Sequence, residues 1–376
     1  MFVERVRVLF GLVLALLIVP ILPSIVRADS GSTLDEDTIS QAVDLQKSGK
    51  TVDALQSLVA AQAPDGSNQH IESEIERIVS SGLPSTLPRT LLAGLPVDVS
   101  DIPGHLGVAV VVRPFVPSTA REPQSDVPYP RICYIYRPSH ADPQSTLQIF
   151  CRVHYTVDHD ADLALRAGRL LLLGRHILMA RTERPPAYND DEPIDVWLCR
   201  SGPAGGEQWR NNLYFYDLST PRSSIEWVRE ILHEYSHLAL PAVGGFSAPE
   251  YWANGYLGER LLVRWLQRAP DGPTLVESVW GDFSGAQNFD RILISPAIAL
   301  YARVGPSKTW ESRTDAQGME YFIGQMLTID DKYGSAALGS IMSELPRYRE
   351  ARPADVIVAL KQVLPADKLP RPRGAE

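Results

Sequence analysis

Between residues 146 and 182 the chain changes its hydrophobic period, and that change limits the folds open to it. "TLQIFCRVHYTVD" (146–158) alternates: Leu147, Ile149, Cys151, Val153, Tyr155 and Val157 share one face, while Gln148, Arg152, His154 and Asp158 fall mostly on the other. A period of two marks a half-buried strand. "DADLALRAGRLLLLGRHILMART" (160–182) then reads as one long helix. Strand-like runs at 105–115 and 131–137 precede this pair, and runs at 194–199 and 211–218 follow it. After residue 220 the signals turn helical, at about 256–267, 292–303, 316–332, 334–345 and 353–364. Strands gathered early and helices late predict an α+β domain, with a mostly antiparallel sheet ahead of a helical C-terminal part.

The N-terminal segments are of two kinds. "MFVERVRVLFGLVLALLIVPILPSIVRADS" has Arg5 and Arg7, an apolar run from Val8 to Val26, and the small residue Ala28 at its exit. That is the build of a secretory signal over 1–28, or of an uncleaved anchor. Residues 29–95 are expected to hold a small helical region. Residues 37–62 show helical periodicity broken at Gly49, and the signal returns at 71–80. Export permits a disulfide. Cys133 and Cys151 lie on neighbouring strand-like segments, so either a bridge or two buried thiols fits them.

The net charge of −9 and the lack of a basic stripe argue against nucleic acid as a partner. After the N-terminal run no apolar stretch approaches membrane length, so no further membrane contact is expected.

The chemistry is expected in "ILHEYSHLAL" (231–240). Two histidines four apart on a helix differ by about 400° of rotation, so His233 and His237 face nearly the same way and can share an ion. Glu234 is turned by about 100° from His233, beside such an ion rather than on it. Zinc makes a water it binds acidic, and a carboxylate placed there can take the proton. Thr220 before Pro221, or Ser223 with Glu226, can start this helix, and Pro241 with Gly244-Gly245 ends it.

With its preceding strands, "IDVWLC…NNLYFYDL…ILHEYSH" resembles the gluzincin metallopeptidases over roughly 190–364. "PEYWANGYLGE" (249–259) is similar to the helix that supplies the family's third ligand, a glutamate. The resemblance implies a zincin-like domain over 105–364, followed by a tail at 365–376. It implies Zn2+ as cofactor, a peptide or protein as substrate, and a secreted or extracytoplasmic metallohydrolase with Glu234 as general base. A catalytically inactive binding module of the same fold is the alternative.

The chain departs from the family where the third ligand should be, since that glutamate falls on Asn254, which is neutral. If two antiparallel helices meet near Gly244, His237 lies level with about residue 251. Glu250 is then about 1.5 Å out of line and Glu259 about 12 Å. On that reading Glu250 is the ligand and Asn254 supports it by hydrogen bonding. If Asn254-Gly255 is instead a turn, a fresh helix from Tyr256 brings in Glu259; a centre with no protein carboxylate as third ligand is the remaining alternative. Tyr301 and Tyr321 are candidate transition-state donors by position alone.

Overall fold

The computed structural model describes residues 31–62, 68–112, 121–122, 127–157, 160–345 and 350–365. The expected leader at 1–28, most of the proline-rich loop before Pro130, His159 and nearly all of the tail lie outside the described residues.

Among the described residues eight strands form one sheet: β1 (Thr86–Pro88), β2 (Val97–Ile102), β3 (Gly107–Val112), β4 (Arg131–Pro138), β5 (Thr146–Tyr155), β6 (Ile194–Leu198), β7 (Gly205–Trp209) and β8 (Asn212–Tyr216). Their order is β2-β3-β4-β5-β6-β8-β7, with β1 beside the start of β5. The β5–β6 and β6–β8 pairs are parallel and the others antiparallel, so the sheet is mixed and the domain is α+β. A parallel step needs a crossover. Between β5 and β6 that crossover is the long helix α4, described below. Sequence periodicity does not reveal β2; the glycine-rich stretch "GPAGG" (202–206) turns the chain as its composition suggests, and its last two glycines already belong to β7.

Three helices, α1 (Gly31–Lys47), α2 (Thr51–Ala61) and α3 (Gln69–Ser80), cover one sheet face. Leu55, Leu58, Ile71, Ile75 and Ile78 there meet Val108, Val110, Tyr134, Tyr136, Leu147 and Ile149. The other face carries α4 (Ala161–Thr182) and α5 (Ser224–Ala239), packed on Ile135, Cys151, Val153, Val196, Leu213 and Phe215. The middle strands are therefore buried on both sides.

This two-sided burial corrects the simple alternation expected for 146–158. In the β4–β5 ladder Ile135 pairs with Cys151 and the next residue, Tyr136, with Ile149, leaving Phe150 as an extra residue. That bulge exchanges the faces. Leu147 and Ile149 pack toward α1–α3, whereas Cys151 and Val153 pack toward α4. His154, expected on a polar face, is only 4% exposed. It stacks on Trp197 with ring centroids 4.0 Å apart, and its Nε2 lies 2.9 Å from Asp195 Oδ1. Cys133 and Cys151 are buried free thiols, so the bridge is not made. Cys133 stands opposite Val153 and Cys151 opposite Ile135, offset along the strands. Burial pushes the Cys133 thiol up to about 12.

Asp190, in a turn that reads as solvated in the sequence, is a half-buried hub. Arg175 Nε donates to its Oδ1 at 2.7 Å, and His140 Nε2 lies 3.1 Å from its Oδ2. Arg137 donates to the Asp190 carbonyl at 2.8 Å.

The remaining helices are α6 (Asn254–Arg268), α7 (Gly272–Trp280), α8 (Ala286–Phe289), α9 (Ser295–Val304), α10 (Lys308–Glu311), α11 (Ala316–Tyr333), α12 (Ser335–Ser343) and α13 (Pro353–Val363). α6 and α11 are tied by Arg260–Glu320 at 2.8 Å, Arg264–Asp331 at 2.6 Å and Trp265 Nε1 to Asp330 Oδ2 at 3.0 Å. No helix among the described residues is long and apolar enough to cross a membrane.

Candidate metal centre

The first turn of α5 is fixed by a capping box. Ser223 N donates to the Glu226 carboxylate at 2.7 Å, and Glu226 N donates back to Ser223 Oγ at 3.4 Å. Such a cap is worth about 1 kcal/mol. Val228, Ile231, Leu232, Tyr235 and Leu238 bury one side of the helix. His233 and His237 emerge together on another side, with Nε2 atoms 3.2 Å apart.

The chain after α5 does not turn directly into a second helix, as the level-residue argument assumed. Residues 240–253 are irregular, and α6 starts only at Asn254. From there α6 runs back along α5, with Gly255 against His237 and His233, then Glu259 against His233 and Arg229.

Each candidate ligand then has a distinct place. Glu250 reaches in from the loop, with Oε2 3.4 Å from His233 Nε2 and Oε1 3.7 Å from His237 Nε2. His233, His237 and Glu250 each offer an atom, all within 4.8 Å of one another. Glu259 is fully buried and lies behind the rings, with Oε2 3.2 Å from His233 Nδ1 and 3.3 Å from Arg229 Nε. Asn254 Oδ1 lies 3.2 Å from His237 Nδ1.

Asn254 has its orientation fixed. Its amide nitrogen donates to the carbonyls of Ser236, His237 and Leu240 at 3.4, 3.2 and 3.4 Å, at the end of α5. These are carbonyls that a helix terminus leaves in need of donors. The oxygen must therefore face His237, so Nδ1 carries the proton there, as it does in His233 facing Glu259. Both Nε2 atoms face Glu250 and are the ones offered to an ion. An ion's histidine ligands are commonly held in this way from behind.

Two glycines make the room. A Cβ on Gly255 would sit 2.4 Å from His237 Nε2 and 2.5 Å from His233 Nε2, in the space between the rings. A Cβ on Gly206 of β7 would sit 2.5 Å from Glu234 Cγ and 2.7 Å from its Oε1. Glu234, 6% exposed, is thus enclosed by the sheet edge, and burial pushes its carboxyl up to about 7. Burial alone would lower the His233 imidazole, but its pairing with Glu250 and Glu259 raises it to about 10. Burial alone would raise Glu250, but attraction to the facing imidazoles holds it at about 2.

The residues fit a divalent ion. Two imidazoles and a carboxylate are a usual donor set for zinc, and Glu250 Oε1 is buried with no hydrogen-bond partner. Tyr301 and Tyr321 sit elsewhere. They pack on each other at 5.3 Å, and the Tyr321 hydroxyl donates to Gly305 O at 2.8 Å. Sequence reasoning misses Gly206, Gly255 and Arg229, because no local pattern announces that a glycine is facing a histidine ring.

Compared with known proteins, the chain matches no family model and no curated protein.

Proposed function

We propose that this protein is a zinc-dependent metallohydrolase of gluzincin type, acting on peptides outside the cytoplasm. One observation carries the reading: His233, His237 and Glu250 converge through Nε2 and carboxylate oxygens while Glu259 and Asn254 hold the rings from behind. When bound there, zinc supplies Lewis acidity toward a carbonyl and toward water.

The chain's own groups supply the rest. Glu234 stands next to His233 on the helix and is raised toward neutrality by burial, which suits a group that must both take and give a proton. It accepts the proton of the attacking water and passes it to the departing amine. β7 lies at the end of the sheet order, so among the described residues no strand pairs with its outer edge. Gly206 brings that edge against Glu234. An extended peptide can hydrogen-bond to such an edge and lie beside the general base. Asn254, whose neutrality motivates an inactive binding module, has a use here in orienting His237.

The test is zinc content and zinc affinity of the purified protein, with cleavage of a broad peptide library by wild type and Glu234→Gln. The reading expects roughly stoichiometric zinc in both and cleavage by wild type alone. Zinc binding with no cleavage by either favours the binding module, and absence of zinc binding overturns the metal centre.

A further inference from the structure

Glu250 differs from the other candidate ligands in having no helix to hold it. It lies in the segment from Val243 to Ala253, closed at its base by Ala253 N donating to Val243 O at 2.8 Å. Phe246 N donates to Tyr251 O at 3.3 Å, and Ser247 N to Thr314 O at 2.6 Å. A carboxylate on a surface loop loses side-chain and backbone freedom when it joins an ion, unless something has already fixed it.

The neighbouring residue provides the fixing. Tyr251 is 44% exposed, yet its hydroxyl lies 2.9 and 2.8 Å from the two oxygens of Glu350. Glu350 is held in turn by Arg352 at 2.8 Å, and the Arg352 guanidinium lies 5.8 Å from the centre of the Tyr251 ring. Between them Ala351 O accepts from Gly244 N at 2.9 Å, at the other end of the loop. Arg352 N donates to Asp355 Oδ2 at 2.8 Å, in the first turn of α13. The stretch from Glu350 to Arg352 therefore runs across the ligand loop and joins it to α13.

We propose that Glu350, Arg352 and Tyr251 form a strap that positions Glu250 for the ion, so that docking of the C-terminal helix sets metal affinity. This rests on the metal-centre reading above. The three are positioning residues, acting through the backbone that joins Tyr251 to Glu250. The two histidines, by contrast, stand on α5 and are held from behind by Glu259 and Asn254 of α6.

The test is a double-mutant cycle on the full chain, read as Zn2+ affinity in competition with a chelator and as the visible spectrum of the Co2+-loaded protein. Tyr251→Phe removes one exposed hydroxyl and leaves the ring, so folding is preserved, and a thermal melt of the metal-free protein checks this. Zinc affinity should fall about tenfold to a hundredfold in Tyr251→Phe and Glu350→Ala. Glu350→Gln, which keeps an acceptor for the hydroxyl, should lose less. The Co2+ spectrum of Tyr251→Phe should move toward that of Glu250→Gln. The double variant Glu250→Gln/Tyr251→Phe should bind no more weakly than Glu250→Gln alone, because the strap acts only through Glu250. Wild-type affinity in Tyr251→Phe, or a loss that adds in full to that of Glu250→Gln, overturns the strap and leaves the metal centre standing. Failure of the wild-type protein to bind Zn2+ removes the metal centre itself.

Discussion

Replacing Gly255 by alanine should close the proposed metal centre while leaving the fold intact. The added Cβ would lie 2.4 Å from His237 Nε2 and 2.5 Å from His233 Nε2. Non-bonded contacts settle near 3.5 Å or more, so each ring must move by roughly 1 Å. Neither ring is free to do so, since His233 Nδ1 is held by Glu259 and His237 Nδ1 by Asn254, both at 3.2 Å. Releasing both costs about 2 kcal/mol, taking about 1 kcal/mol for each hydrogen bond. That alone is roughly a thirtyfold loss of zinc affinity, and the methyl also occupies space the ion needs. The fold should survive with a small drop in melting temperature, because the hydrogen-bond loss of about 2 kcal/mol is partly offset by a gain in the helix. Gly255 is near the start of α6, its φ is not positive, and alanine is the better helix former by up to about 1 kcal/mol. The assay is chelator competition for Zn2+ alongside a thermal melt followed by circular dichroism. Gly255→Ala binding zinc as wild type does, at an unchanged melting temperature, would refute the placement of the site between these rings.

Gly206→Ala should act on the proposed general base, because the three atoms nearest its Cβ all belong to Glu234, with Cγ at 2.5 Å. Peptide cleavage should fall about a hundredfold, the cost of misplacing a reacting group by about 1 Å, with zinc affinity unchanged; equal turnover counts against the β7 edge as the wall of the site. His154 should make the fold sensitive to acid. Burial lowers its imidazole below the ordinary value, so the unfolded chain binds the proton more readily. Its contribution is then full above about pH 6.5 and is lost as pH falls below that. Urea unfolding of His154→Gln should depend less on pH between about 7 and 5 than wild type, and identical slopes would argue against a neutral buried ring.

The residues that can be read from the sequence are those whose placement depends on their own neighbours. Ser223 and Glu226 cap α5, and the spacing of His233 and His237 puts both rings on one side, because a helix repeats within a few residues. The long helix after the strand at 146–155, and the helices at 316–333 and 353–363, follow from periodicity in the same way. The faces of β5 do not, because the bulge at Phe150 depends on how β4 pairs with it.

By itself, the sequence determined a helix carrying two histidines and a glutamate, set in a chain of early strands and later helices. Only the tertiary structure decided which carboxylate stands where. Glu250 and Glu259 are separated by an irregular stretch and a helix start, and no local repeat carries a position across such a break. The packing of α6 against α5 puts Glu259 behind His233, and the loop anchored by Tyr251 puts Glu250 in front of both rings. Gly255 and Gly206 are of the same kind, since what a missing side chain leaves room for is fixed by the element packed against it.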